Sequence, residues 1–141
     1  MNDLTAFFAQ NKIKQENVKY AASKLFVDGN GKPLEWEIKV VTTEENEALK
    51  KESMKRIKLP NGQQQLDVDP LVYGLKVAVK GTVFPNLNDQ KLQDSYGVMG
   101  AEQLLQKMLS NAGEYQAYLN KVAEVSGFTS TMAEAVEEAK N

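Results

Sequence analysis

The sequence predicts an α+β fold, with an N-terminal antiparallel β-hairpin region packed with a mostly helical C-terminal half. Three observations predict it. Leu34, Trp36, Ile38 and Val40 alternate with Glu35, Glu37 and Lys39, behind the turn-forming run Asp28-Gly29-Asn30-Gly31. Asp69-Pro70 opens a helix whose Leu71, Val72, Leu75, Ala78 and Val79 share one stripe. Beyond residue 88, apolar side chains recur at helical spacing between glycines.

Each element follows from its own residues. Residues 1–19 form an N-terminal segment whose Leu4, Phe7 and Phe8 sit at helical spacing. It is too short to be stable alone, so it docks on the domain or on a partner. Residues 20–41 read as the hairpin. Alternation buries one face and wets the other, and Trp36, the only tryptophan, anchors the buried one. Thr42-x-x-Glu45 is a capping box that starts a charged helix running to about residue 54. Ala48 and Leu49 are its only clear apolar contacts, so it belongs on the surface. Ile57, Leu59, Leu66 and Val68 flank Pro60-Asn61-Gly62 as a second hairpin. In Asp69-Pro70, aspartate caps and proline takes the first helical position; Pro85 ends that element.

Asn88 caps a short helix reaching about residue 95. Gly97 and Gly100 break the chain on either side of Val98-Met99. Leu104, Leu105, Met108 and Leu109 form the stripe of the next helix. Gly113 separates it from a helix carrying Tyr115, Tyr118, Leu119, Val122 and Val125. Ser126-Gly127-Phe128 reads as a glycine cap, with Phe128 folding back toward Val122. Thr131-x-x-Glu134 starts a last helix with a narrow stripe of Met132, Ala135, Val136 and Ala139. Residues 20–128 are thus expected to be one α+β domain, and residues 129–141 a helical tail.

Composition bounds the function. A chain of 141 residues with 42% hydrophobic content can bury one core without a staple. With no cysteine and no histidine, thiol nucleophiles, imidazole bases and the usual zinc ligands are absent together. Asp67-x-Asp69 lacks the glycine and distal glutamate of a calcium loop. Glu44-Glu45-x-Glu47 reads as first-turn acids favouring the helix dipole. Gly97-Val98-Met99-Gly100 lacks the ending of a phosphate loop. A net charge of −2, from 17 basic and 19 acidic residues, argues against nucleic acid. No apolar run approaches the ~18 residues of a membrane span. The expectation is a non-enzymatic cytosolic protein without cofactor or metal, holding another chain through apolar surface.

That surface is concentrated in the block from residue 84 to 105, and there the sequence resembles a known family. Four stretches carry the likeness. They are Lys24-Leu25-Phe26-Val27-Asp28 with Gly31-Lys32-Pro33-Leu34-Glu35-Trp36-Glu37-Ile38; Thr42-Thr43-Glu44-Glu45-Asn46-Glu47; the block from Phe84-Pro85-Asn86-Leu87 through Leu92-Gln93-Asp94-Ser95-Tyr96-Gly97-Val98-Met99-Gly100-Ala101-Glu102 to Leu105, with Lys107-Met108-Leu109; and Gly113-Glu114-Tyr115 leading to Val125-Ser126-Gly127-Phe128. Together they resemble the XkdN-like tail assembly chaperones of long-tailed phages and prophages of Gram-positive bacteria. Leu25 and Ser53 depart from the family pattern, which often has arginine and cysteine there.

The resemblance implies a tail assembly chaperone of the bacterial host cytoplasm. Its partner would be the tape measure protein, kept soluble until the tail tube polymerises, with the major tail tube protein as a further partner. Self-association into a homo-oligomer is compatible with the same surface. The residues expected at the partner are Leu87, Leu92, Tyr96, Val98, Met99, Leu104 and Met108, with Phe7 and Phe8 as a second patch. The alternative is a tail-completion or adaptor protein retained in the virion.

Overall fold

The computed structural model describes residues 3–128, so the helix expected from Thr131 lies outside them. Two short 3-10 turns, Leu4–Phe7 and Ala9–Asn11, precede strand β1 (Val18–Tyr20) and strand β2 (Trp36–Ile38). Helix α1 (Thr43–Glu52) leads to strands β3 (Met54–Lys58) and β4 (Gln64–Val68). Helix α2 (Pro70–Gly81) runs directly into strand β5 (Thr82–Phe84), followed by helices α3 (Gln90–Ser95), α4 (Ala101–Met108) and α5 (Ala112–Val125).

The fold is α+β, with a strand arrangement that differs from the expected one. β1 and β2 are antiparallel, Tyr20 opposite Trp36 and Val18 opposite Ile38. β1 therefore begins before residue 20, inside the expected N-terminal segment. A third strand, β5, lies on the other side of β2, giving the order β1-β2-β5. Periodicity missed it because three residues are too few to establish alternation. Its Val83 is the extra residue of a register shift, with Glu37 opposite Phe84 and Ile38 opposite Thr82. The sheet thus draws on both halves of the chain. The second hairpin exists as expected, but β3 and β4 form a separate two-stranded ribbon, exposed along most of its length.

Alternation along β2 holds for Trp36 and Ile38, both buried, and ends there. Leu34 is exposed, and Val41 turns inward rather than Val40. The cause is that the chain leaves the sheet after Ile38. The Val41 N–H then donates to Ser126 Oγ at 2.9 Å, which turns that residue toward α5.

Local chemistry sets the helix ends. Thr42 Oγ1 accepts from the Glu45 N–H at 3.2 Å, and Glu45 Oε1 accepts from the Thr42 N–H at 3.0 Å, completing the capping box. Asp69 Oδ1 accepts from the N–H groups of Leu71 and Val72. Asp89, one residue after the expected Asn88, caps α3. Gly113 lies in the first turn of α5, whose cap is Asn111; the break falls at Leu109 and Ser110. At the far end, Phe128 N–H donates to Ala123 O and Gly127 N–H to Glu124 O, with Gly127 at φ 86°. That is the Schellman pattern the sequence signals.

α2 is the hub, packing against α1, α4, α5 and β5. Its buried residues are Val77, Ala78 and Gly81, with Leu75 and Val79 half-buried, whereas Leu71 and Val72 are exposed. The first turn projects past the helical layer, so the apolar stripe starts one turn later than its spacing suggests. At the other end Gly81 lets three elements meet. A Cβ there would lie 2.5 Å from Val122 Cγ1 and 3.5 Å from the Lys39 carbonyl oxygen.

One buried cluster joins the sheet to the helices. At its centre the Tyr118 ring meets Trp36 edge-on at 5.0 Å and Tyr20 in a stacked arrangement at 6.2 Å. Thr82 Oγ1 donates to Ala78 O at 2.7 Å. Having one hydrogen, it must accept from the Tyr118 hydroxyl 2.6 Å away. Burial pushes the Tyr118 hydroxyl up to about 12, so it remains a neutral donor.

Candidate partner-binding surface

The block from residue 84 to 105 is organised around the buried side chain of Gln93. Its Nε2 donates to Leu87 O at 2.9 Å, and its Oε1 accepts from the Gly100 N–H at 3.1 Å. Gly97 and Gly100 hold positive φ, 66° and 101°, a conformation that only glycine adopts cheaply. The chain between them reverses so that Val98 enters the core and Met99 leaves it.

This decides where the expected partner residues lie. Leu87, Val98, Leu104 and Met108 are buried, and Leu92 and Tyr96 pack half-buried against the same cluster. Spacing did not separate core from surface here: a helix stripe such as Leu92, Leu104 and Met108 looks alike whether it faces its own domain or a partner, and Leu87, Tyr96 and Val98 lie in connecting segments whose burial depends on distant contacts. In the described structure they offer a partner little surface. Met99, 85% exposed, is the one expected partner residue of the block that points outward.

The other two expected residues lie elsewhere. Every residue from 3 to 17 is exposed, Phe7 at 85% and Phe8 at 47%. Leu4 and Ile13 are exposed beside them. Local bonds shape this arm: Asp3 Oδ1 accepts from the Thr5 N–H, and Asn11 Nδ2 donates to Thr5 O at 2.7 Å. Leu4 shows in the sequence through helical spacing with Phe7 and Phe8. Ile13 had no such signal, being isolated among polar residues.

A second feature, unseen in the sequence, ties the start of α5 to the segment after β1. Glu114 Oε2 accepts from the Lys24 N–H at 3.0 Å and Oε1 from the Ser23 hydroxyl at 2.8 Å. These two bonds, the backbone one first, hold the carboxyl below its usual range. They border a shallow groove of about 500 Å³ lined by Tyr20, Ala22, Ser23, Pro33, Glu114 and Ala117. Elsewhere Lys76 Nζ reaches Glu102 Oε1 at 2.8 Å, joining α2 to α4, and that carboxylate raises the lysine pKa.

Among the described residues, every buried side-chain polar atom has a hydrogen-bond partner. Nor do three acidic side chains among them converge as a metal site would require. No helix among them is long and apolar enough to cross a membrane.

The family model for the phage XkdN-like tail assembly chaperone protein matches residues 4–140. The chain belongs to this family. It is similar to the phage-like element PBSX protein XkdN of Bacillus subtilis (strain 168), 30% identical over 139 residues, 99% of this chain and 94% of that protein. The uncharacterized protein YqbN of the same strain is 31% identical, over 99% of this chain and 93% of its own. The crystal structure of YqbN superposes with a TM-score of 0.76 at 28% identity, covering 90% of this chain and 98% of that one. In this tail assembly chaperone Ser53 is buried, and its hydroxyl donates to Leu49 O at 2.7 Å.

Proposed function

We propose that this tail assembly chaperone binds the tape measure protein and keeps it soluble in the host cytoplasm, without catalysis, until the tail tube forms. The observation that carries the reading is the exposed arm. Leu4, Phe7, Phe8 and Ile13 lie outside the buried core of the described residues. Covering a large apolar side chain is worth about 1.5–3 kcal/mol, so both phenylalanines together support a modest, reversible affinity. Reversibility suits a factor that must leave as tube subunits assemble. Met99 offers a further apolar contact.

Co-expression with the tape measure gene tests this. The expected result is a soluble, co-purifying pair whose recovery drops when Phe7→Ser and Phe8→Ser are combined. A tape measure protein that stays insoluble beside this chain refutes it. Mass spectrometry of assembled tails supplies the second arm: a protein retained in the particle supports the tail-completion or adaptor reading instead.

A further inference from the structure

The β3–β4 ribbon has a chemistry of its own. Residues 54–68 hold three basic side chains and one acidic, net +2, in a chain whose overall charge is −2. Lys50 pairs with Glu47 at 3.7 Å and Lys55 with Asp69 at 3.5 Å. Among the described residues no carboxylate reaches ion-pair distance of Lys51, Arg56 or Lys58.

Register sorts these residues by face. Met54 lies opposite Val68, Arg56 opposite Leu66, and Lys58 opposite Gln64. Alternate pairs share a face, so Met54 and Val68 lie at the base, Leu66 beside Arg56 in the middle, and Lys58 beside Gln64 toward the tip. Met54 and Leu66 are 46% and 59% exposed, and Leu71, at the start of α2 just beyond the base, is 80% exposed. A two-stranded ribbon with an open apolar face is marginal in water unless something covers it.

We propose that this face is a docking surface for an amphipathic helix of a protein partner, one with carboxylates flanking its apolar stripe. Charge complementarity sets the sign of the partner: Arg56 and Lys58, on this face and without an ion-pair partner among the described residues, call for acids. The apolar residues sit on both strands, so the occupant lies across the face rather than along one edge. Five residues of strand span roughly 17 Å, about the length of three helical turns. Phosphates would meet the cations but leave Met54 and Leu66 uncovered, which favours protein over nucleic acid. The surface is separate from the N-terminal arm, and its test needs no tape measure protein.

The probes are labelled three-turn helical peptides, titrated onto the full chain by fluorescence anisotropy. One has a leucine stripe flanked by glutamates. The second has the same stripe flanked by lysines, and the third has the glutamates with serines in the stripe. The first is expected to bind about tenfold tighter than either other, and to slow amide exchange in β3 and β4. Arg56→Glu with Lys58→Glu should weaken it about tenfold, and Arg56→Gln with Lys58→Gln by less. Unchanged thermal melts establish that the variants fold. Equal affinity for the doubly reversed variant overturns the proposal, as does protection confined to residues 3–17. Tighter binding of duplex DNA than of the acidic peptide would also overturn it, assigning the ribbon to nucleic acid.

Discussion

Gly81→Ala should destabilise this chaperone although the substitution improves helix propensity. Gly81 is the last residue of α2, and its carbonyl accepts from the Lys39 N–H at 2.8 Å. A methyl group there meets Val122 Cγ1 at 2.5 Å, whereas carbons in contact prefer about 3.5–4.0 Å. Val122 is fully buried, and a β-branched side chain has little χ1 freedom with which to swing away. Overpacking of this kind costs roughly 1–3 kcal/mol, against a gain of about 0.5–1 kcal/mol from replacing glycine in a helix. The net expectation is a loss of about 1–2 kcal/mol. Val122→Ala alone removes two methyl groups and should cost about 2 kcal/mol. It vacates the space that the new methyl needs, so the double variant should be less destabilised than the sum by about 1 kcal/mol or more. Urea denaturation followed by far-ultraviolet circular dichroism, with the slope unchanged, measures all three. A Gly81→Ala protein as stable as wild type, or an additive double variant, refutes the steric argument.

Tyr118→Phe keeps the aromatic packing but removes the hydroxyl that donates to Thr82, and should cost about 1–2 kcal/mol in the same assay. Glu114→Gln tests the latch to Ser23 and Lys24. Because the folded pKa is depressed, the contribution is present above the unfolded carboxylate pKa and is lost as pH falls through the folded value. The variant should therefore be less stable than wild type at neutral pH, with a gap that closes under acid; a gap that widens on acidification contradicts the assignment. Leu104→Ala, at a fully buried position, should cost about 2–5 kcal/mol, while exposed Met99→Ala should stay within about 0.5 kcal/mol of wild type. Thermal melts check the pair, and similar losses at both would contradict the placement of Met99 outside the core.

The elements that the sequence states by itself are those with local causes. The Thr42-x-x-Glu45 box, the Asp69-Pro70 start, the turn at Asn61-Gly62 and the Schellman end at Gly127 all involve residues within a few positions of each other. Their chemistry is complete before any tertiary contact forms. The four motif stretches likewise carried the family without the fold. What only the tertiary structure decided are facts about distant partners. β5 is a strand because β2 lies beside it, and Gly81 matters because Val122, far along the chain, packs on it. Glu114 is a latch because Lys24 and Ser23 are brought to it. The candidate surface divides in the same way. Leu104 and Met99 stand in one apolar block, but Gln93 and the glycines around Met99 send one inward and the other outward. Periodicity records which residues share a face. Which face meets water depends on what the rest of the chain places against it.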